Sequence, residues 1–409
     1  MIITAALVLL FLLGFMGIAL DFGHLFVVKT ELQTAVDSCA LAAARELDKQ
    51  GTAIERAQSA GQTAGNANRV NMQSATWSGE GQIVLADITF RDAAYALTTN
   101  PLVATYAQCV HTQPNIEVWL MKALGAFSGD TVGNPTTRSV AASAVATRAS
   151  AQSTCPIPVG VKPKGGGAAP NYGFVVGEWV KLIQAQAGAA GGEIGWANLD
   201  GSNSASETES EMNNHCGTKV GDQLGTPGVQ ASIVDVWNQR FGIYKNTGDP
   251  STQRPDYTGY AYTDLNWPAK FNAYDGPAPG SPASAQNFLT KRAAFASCAD
   301  TGTKVKGANS CESITGLSLN SFQKLAAPGN VAGGHKQYGF DRRIVTAPII
   351  DGAGRVIDYA CLLMLQPLSI PMTDTWLEFR GNAGDPLSPC TTSGLPGGAA
   401  GPLVPVLVR

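Results

Sequence analysis

The chain predicts an α+β fold built on a long N-terminal helix, and three observations carry that expectation. An uncharged apolar run from Ile2 to Leu20 passes into an amphipathic segment with no Gly or Pro between Phe26 and Gln50. Beyond it, short β-branched and aromatic runs alternate with turns, in a composition holding 46 glycines and 23 prolines, the pattern of a β-rich body. Finally, 8 cysteines are dispersed with no C-x-x-C pair, which fits disulfides in an oxidising compartment better than a zinc ribbon.

The helix comes first. From Ile2 to Leu20 it covers about 28 Å, just enough to cross a hydrocarbon core. A cleaved signal peptide would need a basic start and a small-x-small cleavage site, and "MGIALD" offers neither. Leu25, Val28, Leu32, Ala35, Cys39 and Ala42 then repeat at three- and four-residue steps, giving one apolar seam. Asp21, Lys29, Glu31, Asp37, Arg45 and Glu46 lie off that seam, and Gly51 is placed to end the helix. The expectation is one continuous helix: residues 1–20 a transmembrane anchor, residues 21–50 its amphipathic continuation. Asp21 would mark where the anchor leaves the membrane, because a charge resists burial in lipid. No Lys or Arg precedes the span, so the positive-inside rule has little to count. Bridged cysteines would place the bulk of the chain outside the cytoplasm.

Together with the apolar run, "GIALDFGHLFVVKTELQTAVDSCALAAARELD" resembles the N-terminal signature of TadE/TadG-like Tad (tight adherence, Flp) pilus-assembly proteins. The matching positions are Gly17, Asp21, Gly23, Leu32, Gln33, Ala35, Asp37 and the run Ala40 to Arg45. Further on, "VHTQPNIEVWLMKALGAFSGDTVGNPTTRSVAASAVATRA" resembles the family's next unit, a helix followed by a strand of small residues. "DRRIVTAPIIDGAGRVIDYACLLMLQPLS" and "GPLVPVLVR" look like the terminal part of its longer members. The chain departs from the family in starting inside the apolar run, without basic residues before it, and in showing no glycine–glutamate processing site. The resemblance implies a non-enzymatic envelope protein contributing to pilus biogenesis and adhesion. It implies a single pass through the bacterial inner membrane with the bulk periplasmic or extracellular. The implied partners are the lipid bilayer and other pilus-assembly membrane proteins, met through the N-terminal helix.

Residues 51–150 form the expected pilin-like α/β unit. "QIVLADITF" predicts a strand, Asn115 to Leu124 a short helix, and "SVAASAVATRA" a second strand. Residues 151–409 form the expected β-rich periplasmic domain with helical insertions. Its strands are expected in "CPIPVGVKPKGGGAAPNYGFVVGEWVKL", "RRIVTAPIID", "RVIDYACLLMLQPL" and "LVPVLVR". "SIVDVWNQRFGIYK" is its best helix-to-strand candidate, and "DGPAPGSPASAQ" and "SGLPGGAAGPLVP" are expected loops.

Chemistry is harder to find. "DGSNS" puts Asp200, Ser202 and Ser204 at the D-x-S-x-S spacing of a von Willebrand A metal site. That site would make the protein a metal-dependent surface adhesin, the alternative to an assembly component. It needs its aspartate at the end of a buried strand, so that carboxylate and hydroxyls converge on the ion. The stretch "GEIGWANLD" before it is short and poorly apolar, so a polar surface turn is the better reading of those residues. "ETESE" (207–211) lacks the glycine of a calcium loop and is expected as a solvated loop. "DFG" at Asp21–Gly23 stands without any other kinase motif. His24, His111, His215 and His335 lie far apart, with no H-E-x-x-H and no G-x-S-x-G elbow. Charged residues are 14% of the chain, with a net charge of -3 and no basic stripe, which excludes a nucleic-acid surface. No enzyme activity, cofactor or small-molecule substrate is expected.

The cysteines carry structural expectations. In a pilin-like arrangement the sheet packs on the outer half of the long helix, which would bring Cys39 to Cys109. Cys298 and Cys311 flank a short polar loop, "ADTGTKVKGANS", which is easily closed. The remaining four allow three pairings. Cys155–Cys361 is favoured among them because both sit in strand-like runs, leaving Cys216 with Cys390.

Overall fold

Helix α1 (Ile2–Arg45) is continuous over 44 residues. The computed structural model describes residues 2–68, 70, 82–120, 137–183, 189–227, 232–280, 285–301, 310–319, 321–392 and 394–408. The first stretch of α1 carries exposed apolar side chains, among them Leu9, Phe11, Phe15 and Leu20. From Val28 onward one stripe turns inward: Val28, Leu32, Ala35, Val36, Cys39, Ala40 and Ala43 are fully buried. Leu25 and Ala42, at the edges of the expected seam, are half-buried.

Two expectations about this helix change. Among the described residues, no helix is long and apolar enough to cross a membrane. The side chains of residues 2, 3, 6, 7, 10 and 13 lie outside the described set, and the unbroken run from Gly14 soon meets Asp21, Lys29 and Glu31. The helix also stops at Arg45 rather than at Gln50. Here the chain reverses into α2 (Ala53–Asn66), whose Arg56 fastens the turn by pairing with Glu46 at 3.2 Å and with Asp48.

The chain divides into one unit made of residues 1–149 and 405–409, and a second made of residues 150–404. In the first, α1 and α2 cover an open sheet in the order β1-β2-β3-β12: β1 (Ile88–Arg91), β2 (Tyr106–Glu117), β3 (Thr137–Ser150) and, after the strands of the second unit, β12 (Leu403–Leu407). Antiparallel pairing sets Ile88 opposite Cys109 and Cys109 opposite Ala144. Alternate residues of the strands, Ala107, Cys109, Ala142, Ala144 and Ala146, then enter one core with the α1 stripe. "QIVLADITF" becomes a single 3-10 turn (Leu85–Asp87) followed by β1. Asn115 to Glu117 belong to β2 rather than to a helix, and 121–124 lie outside the described residues. The pairing of Ile116 with Arg138 and Glu117 with Thr137 holds those two extended, after a register shift at Gln113/Ile116 where Asn115 turns left-handed at φ 57.

"LVPVLVR", expected among the strands of the C-terminal domain, is instead the fourth strand of the first unit's sheet. The second unit is therefore an insertion, in chain order, between β3 and β12.

That second unit is built on a closed barrel of β4 (Val159–Val161), β5 (Trp179–Leu182), β6 (Ile194–Trp196), β9 (Ile344–Ile350), β10 (Val356–Met364) and β11 (Thr375–Asn382). Closure leaves no open sheet edge among these strands. β9 and β10 are buried along almost their whole length. One side of these strands joins Val159, Trp196, Leu362 and Phe379 inside. Their other side packs on two outer clusters, one around Tyr260, Tyr262 and Leu363, the other around Tyr359 and Cys361. Between β6 and β9 the chain inserts α3 (Ala205–Asn214), α4 (Ile233–Gln239) and the small pair β7 (Ile243–Tyr244) and β8 (Lys324–Leu325), whose Met212, Trp237 and Ile243 join the same cluster as the barrel interior.

Candidate functional site

The most constrained part of α1 is the turn where exposed apolar residues give way to the buried stripe. Asp21 is only 1% exposed there. Its two carboxylate oxygens accept the backbone N–H groups of Trp119, at 3.1 Å, and Leu120, at 2.9 Å. Those donors stand just past β2, and backbone N–H groups placed beside a buried carboxylate give it the partners that burial requires. One turn earlier, a Cβ added at Gly17 would lie 2.9 Å from Leu120 Cβ, so the missing side chain lets Leu120 approach. One turn later, His24 stacks on Trp119 with ring centroids 5.2 Å apart. Asp21, read from sequence as a marker of membrane depth, is thus a buried clasp between helix and sheet.

Further along, polar residues fasten the same helix to β3. Lys29 Nζ donates to the Ala141 carbonyl, and Gln33 Nε2 donates to the Ser143 carbonyl at 3.0 Å and to Asp37 at 2.8 Å. A disulfide joins Cys39 on α1 to Cys109 on β2 with Cα atoms 6.2 Å apart. Beside it, α2 lies so close that a Cβ on Gly61 would meet Ala43 Cβ at 3.2 Å, and one on Gly65 would meet Cys39 Cβ at the same distance.

Residues 1–46 match the Tad family model, described as "Putative Flp pilus-assembly TadE/G-like". No curated protein and no solved structure matches the chain. Within the Tad-matching segment, Gln33 and Cys39 bind the first unit's strands β3 and β2, and Gly17 and Asp21 meet Trp119 and Leu120 just past β2. The segment is a complete set of attachments for laying a helix on a sheet.

The other residues singled out from sequence are structural in their surroundings. Asp200 Oδ1 accepts the N–H of Ser202 at 2.9 Å, turning the chain toward α3. Ser202 donates its hydroxyl to Glu207, while Ser204 Oγ lies 3.0 Å from Ser206 Oγ. Asp200 thus engages Ser202 itself, while the Ser202 and Ser204 hydroxyls meet Glu207 and Ser206. Hydrogen bonding to Ser202 holds the Asp200 carboxyl below its ordinary range. "ETESE" is not a solvated loop but part of α3. Its Glu211 is buried and accepts the N–H groups of Leu199, at 2.8 Å, and Asp200, at 3.0 Å. Among the described residues, no group of three or more His, Cys, Asp or Glu could hold a metal ion.

Three further disulfides lie in the second unit, joining Cys155 to Cys216, Cys298 to Cys311 and Cys361 to Cys390. The expected Cys155–Cys361 pairing is thus replaced. An isolated bridge between Thr154 and Thr218 draws Cys216 to Cys155, whereas Cys361 stands in mid-β10 opposite Thr346. A buried polar centre was also not visible in the sequence. Arg343, fully buried over the Phe241 ring at 4.2 Å, donates to the carbonyls of Thr258, Tyr260, Met364 and Leu365. Burial pulls its pKa down to about 10. His335 Nδ1–H donates to the Asp256 carbonyl at 2.7 Å, and burial depresses its pKa as well. Gly242, at φ +68, and Gly259 make room for that ring: a Cβ on either would come within 3 Å of it. The acceptors lie in two segments, residues 256–260 and 364–365, far from one another in the chain, so no local motif announces the site.

Proposed function

We propose that the chain is a non-enzymatic component of Tad-type pilus assembly, anchored in the bacterial inner membrane by the first part of α1, with the remainder of the chain periplasmic. The observation that carries this reading is the two-part character of α1. From Val28 its apolar stripe is covered by the first unit, whereas before it Phe11 is 70% and Phe15 68% exposed. A row of large apolar side chains on a helix held rigidly at one end calls for a second apolar phase. The uncharged sequence from Ile2 to Leu20 suits a bilayer. The disulfides favour an oxidising compartment for the units that carry them. Association with pilus components rests on the Tad match of residues 1–46, and the exposed helix face is the surface through which partner membrane helices would be met.

An in-frame deletion in the native host tests this. Surface fibres and adhesion should be lost and should return with the full-length gene. Unaltered fibres would refute the proposal.

A further inference from the structure

The second unit holds a feature that the assembly reading leaves unused and that does not depend on it. A cavity of about 540 Å³ is bordered by Arg240, Arg292, Arg342, His215, Glu211 and Asp341. Its cations differ in how they are compensated. Arg292 pairs with Asp341. Arg240, which caps the end of α4 and is only 6% exposed, donates to the carbonyls of Met212 and Arg342 and to Met364 Sδ, and its Nε meets no acceptor. Arg342 donates to the Arg254 carbonyl at 2.7 Å and to the Asn213 amide oxygen. Among the described residues neither Arg240 nor Arg342 has a carboxylate partner.

The nearby acids are already occupied. Glu211 receives the N–H groups of Leu199 and Asp200. Asp256 accepts those of Thr258, Arg342 and Arg343 at 2.9–3.0 Å. Neutral dipoles compensate a desolvated guanidinium incompletely, and burial accordingly lowers the pKa of both arginines. An incoming anion would relieve that cost, and the planar guanidinium fork matches a carboxylate or a phosphate.

We propose that this cavity binds a small ligand through a carboxylate or phosphate group, with Arg240 and Arg342 as the recognising cations and the His215 ring at the border as a further polar contact. The bound group would lie against guanidinium nitrogens whose present acceptors are all uncharged. The Arg292–Asp341 pair would bound the site on one side.

The test uses the purified full chain and two probes, inorganic phosphate and citrate, each against sodium chloride at matched ionic strength. A ligand of the folded state raises the melting temperature with concentration. At least one probe should do so beyond the chloride control, and which one identifies the group recognised. Arg342→Gln, at a half-buried position that tolerates change better than Arg240, should weaken that probe by about ten-fold or more, as expected for losing a charge-assisted hydrogen bond. Lys270→Gln, a surface control outside the cavity, should bind as the parent does. Equal curves for both probes and chloride would overturn the proposal, as would undiminished binding by Arg342→Gln.

Discussion

The first unit lays a helix on an open sheet through alanines, whereas the second closes a barrel around large side chains. In the first core Ala35, Ala40, Ala43, Ala57, Ala107, Ala142, Ala144 and Ala146 are buried together. In the second, Trp196, Trp237, Phe379, Leu362 and Met364 fill the interior. Small residues allow close approach but bury little apolar area each, so they contribute little of the roughly 25 cal/mol per Å² that burial provides. The first unit correspondingly carries specific fasteners: the Asp21 clasp, Lys29, Gln33, the Arg56 ion pairs and the Cys39–Cys109 bridge. The barrel rests first on packing, to which its unit adds three disulfides and the Arg343 centre. One chain thus contains a unit held by a few attachments and a unit held by volume.

Mutations should separate the two. Trp196→Ala should have the largest effect, about 3–5 kcal/mol, because it empties a fully buried site. Hydrogen exchange read by mass spectrometry should show that loss in the barrel strands and leave α1, α2 and their sheet unchanged. Replacing both Cys39 and Cys109 by alanine should cost the first unit about 2–4 kcal/mol, since the bridge spans 70 residues of sequence. The same measurement should leave the barrel unaffected. Asp21→Ala should cost about 1–3 kcal/mol by leaving two N–H groups without their acceptor. It should speed amide exchange at Trp119 and Leu120 before it affects β2.

The smallest expected effect is a pH dependence confined to the second unit. His335 has a folded pKa below its unfolded value, so the neutral ring's contribution is present above about 6.5 and is lost as pH falls through the folded pKa. Denaturant titrations from pH 7 to pH 5 should therefore show the barrel unit weakening. His335→Asn, which keeps a donor for the Asp256 carbonyl, should flatten that slope. A slope unchanged by the substitution would remove His335 from the account.

The same contrast explains what could be read from the residues beforehand. The α1 stripe was legible because Leu25, Val28 and Leu32 are large enough to mark a helical period, although Val36, also fully buried, was not part of that reading. α2 was not, because its buried face is Ala53, Ala57, Gly61 and Gly65, which carry no hydrophobic signal. The barrel strands appeared as apolar runs, yet nothing in "LVPVLVR" showed that its partner is β3 rather than a barrel strand. Asn115 to Glu117 followed β-pairing over their helical pattern, a tertiary choice that local preference does not contain. Asp21 stood out in the sequence, but its role required knowing that Trp119 and Leu120 arrive 98 and 99 residues later. The arginine-lined cavity is assembled from segments as distant as Cys155 and Thr391 and left no motif at all.

In the proposed role, α1 would serve two phases, lipid before Asp21 and the first unit's sheet after it. The direct measurement is alkaline carbonate extraction of host membranes combined with protease treatment of intact spheroplasts, using a C-terminal epitope tag. The account predicts that the chain stays with the membrane, that removing residues 2–20 releases it, and that protease removes the tag without lysis. A chain washed from the membrane by carbonate, or a tag protected until the spheroplasts are broken, would contradict it.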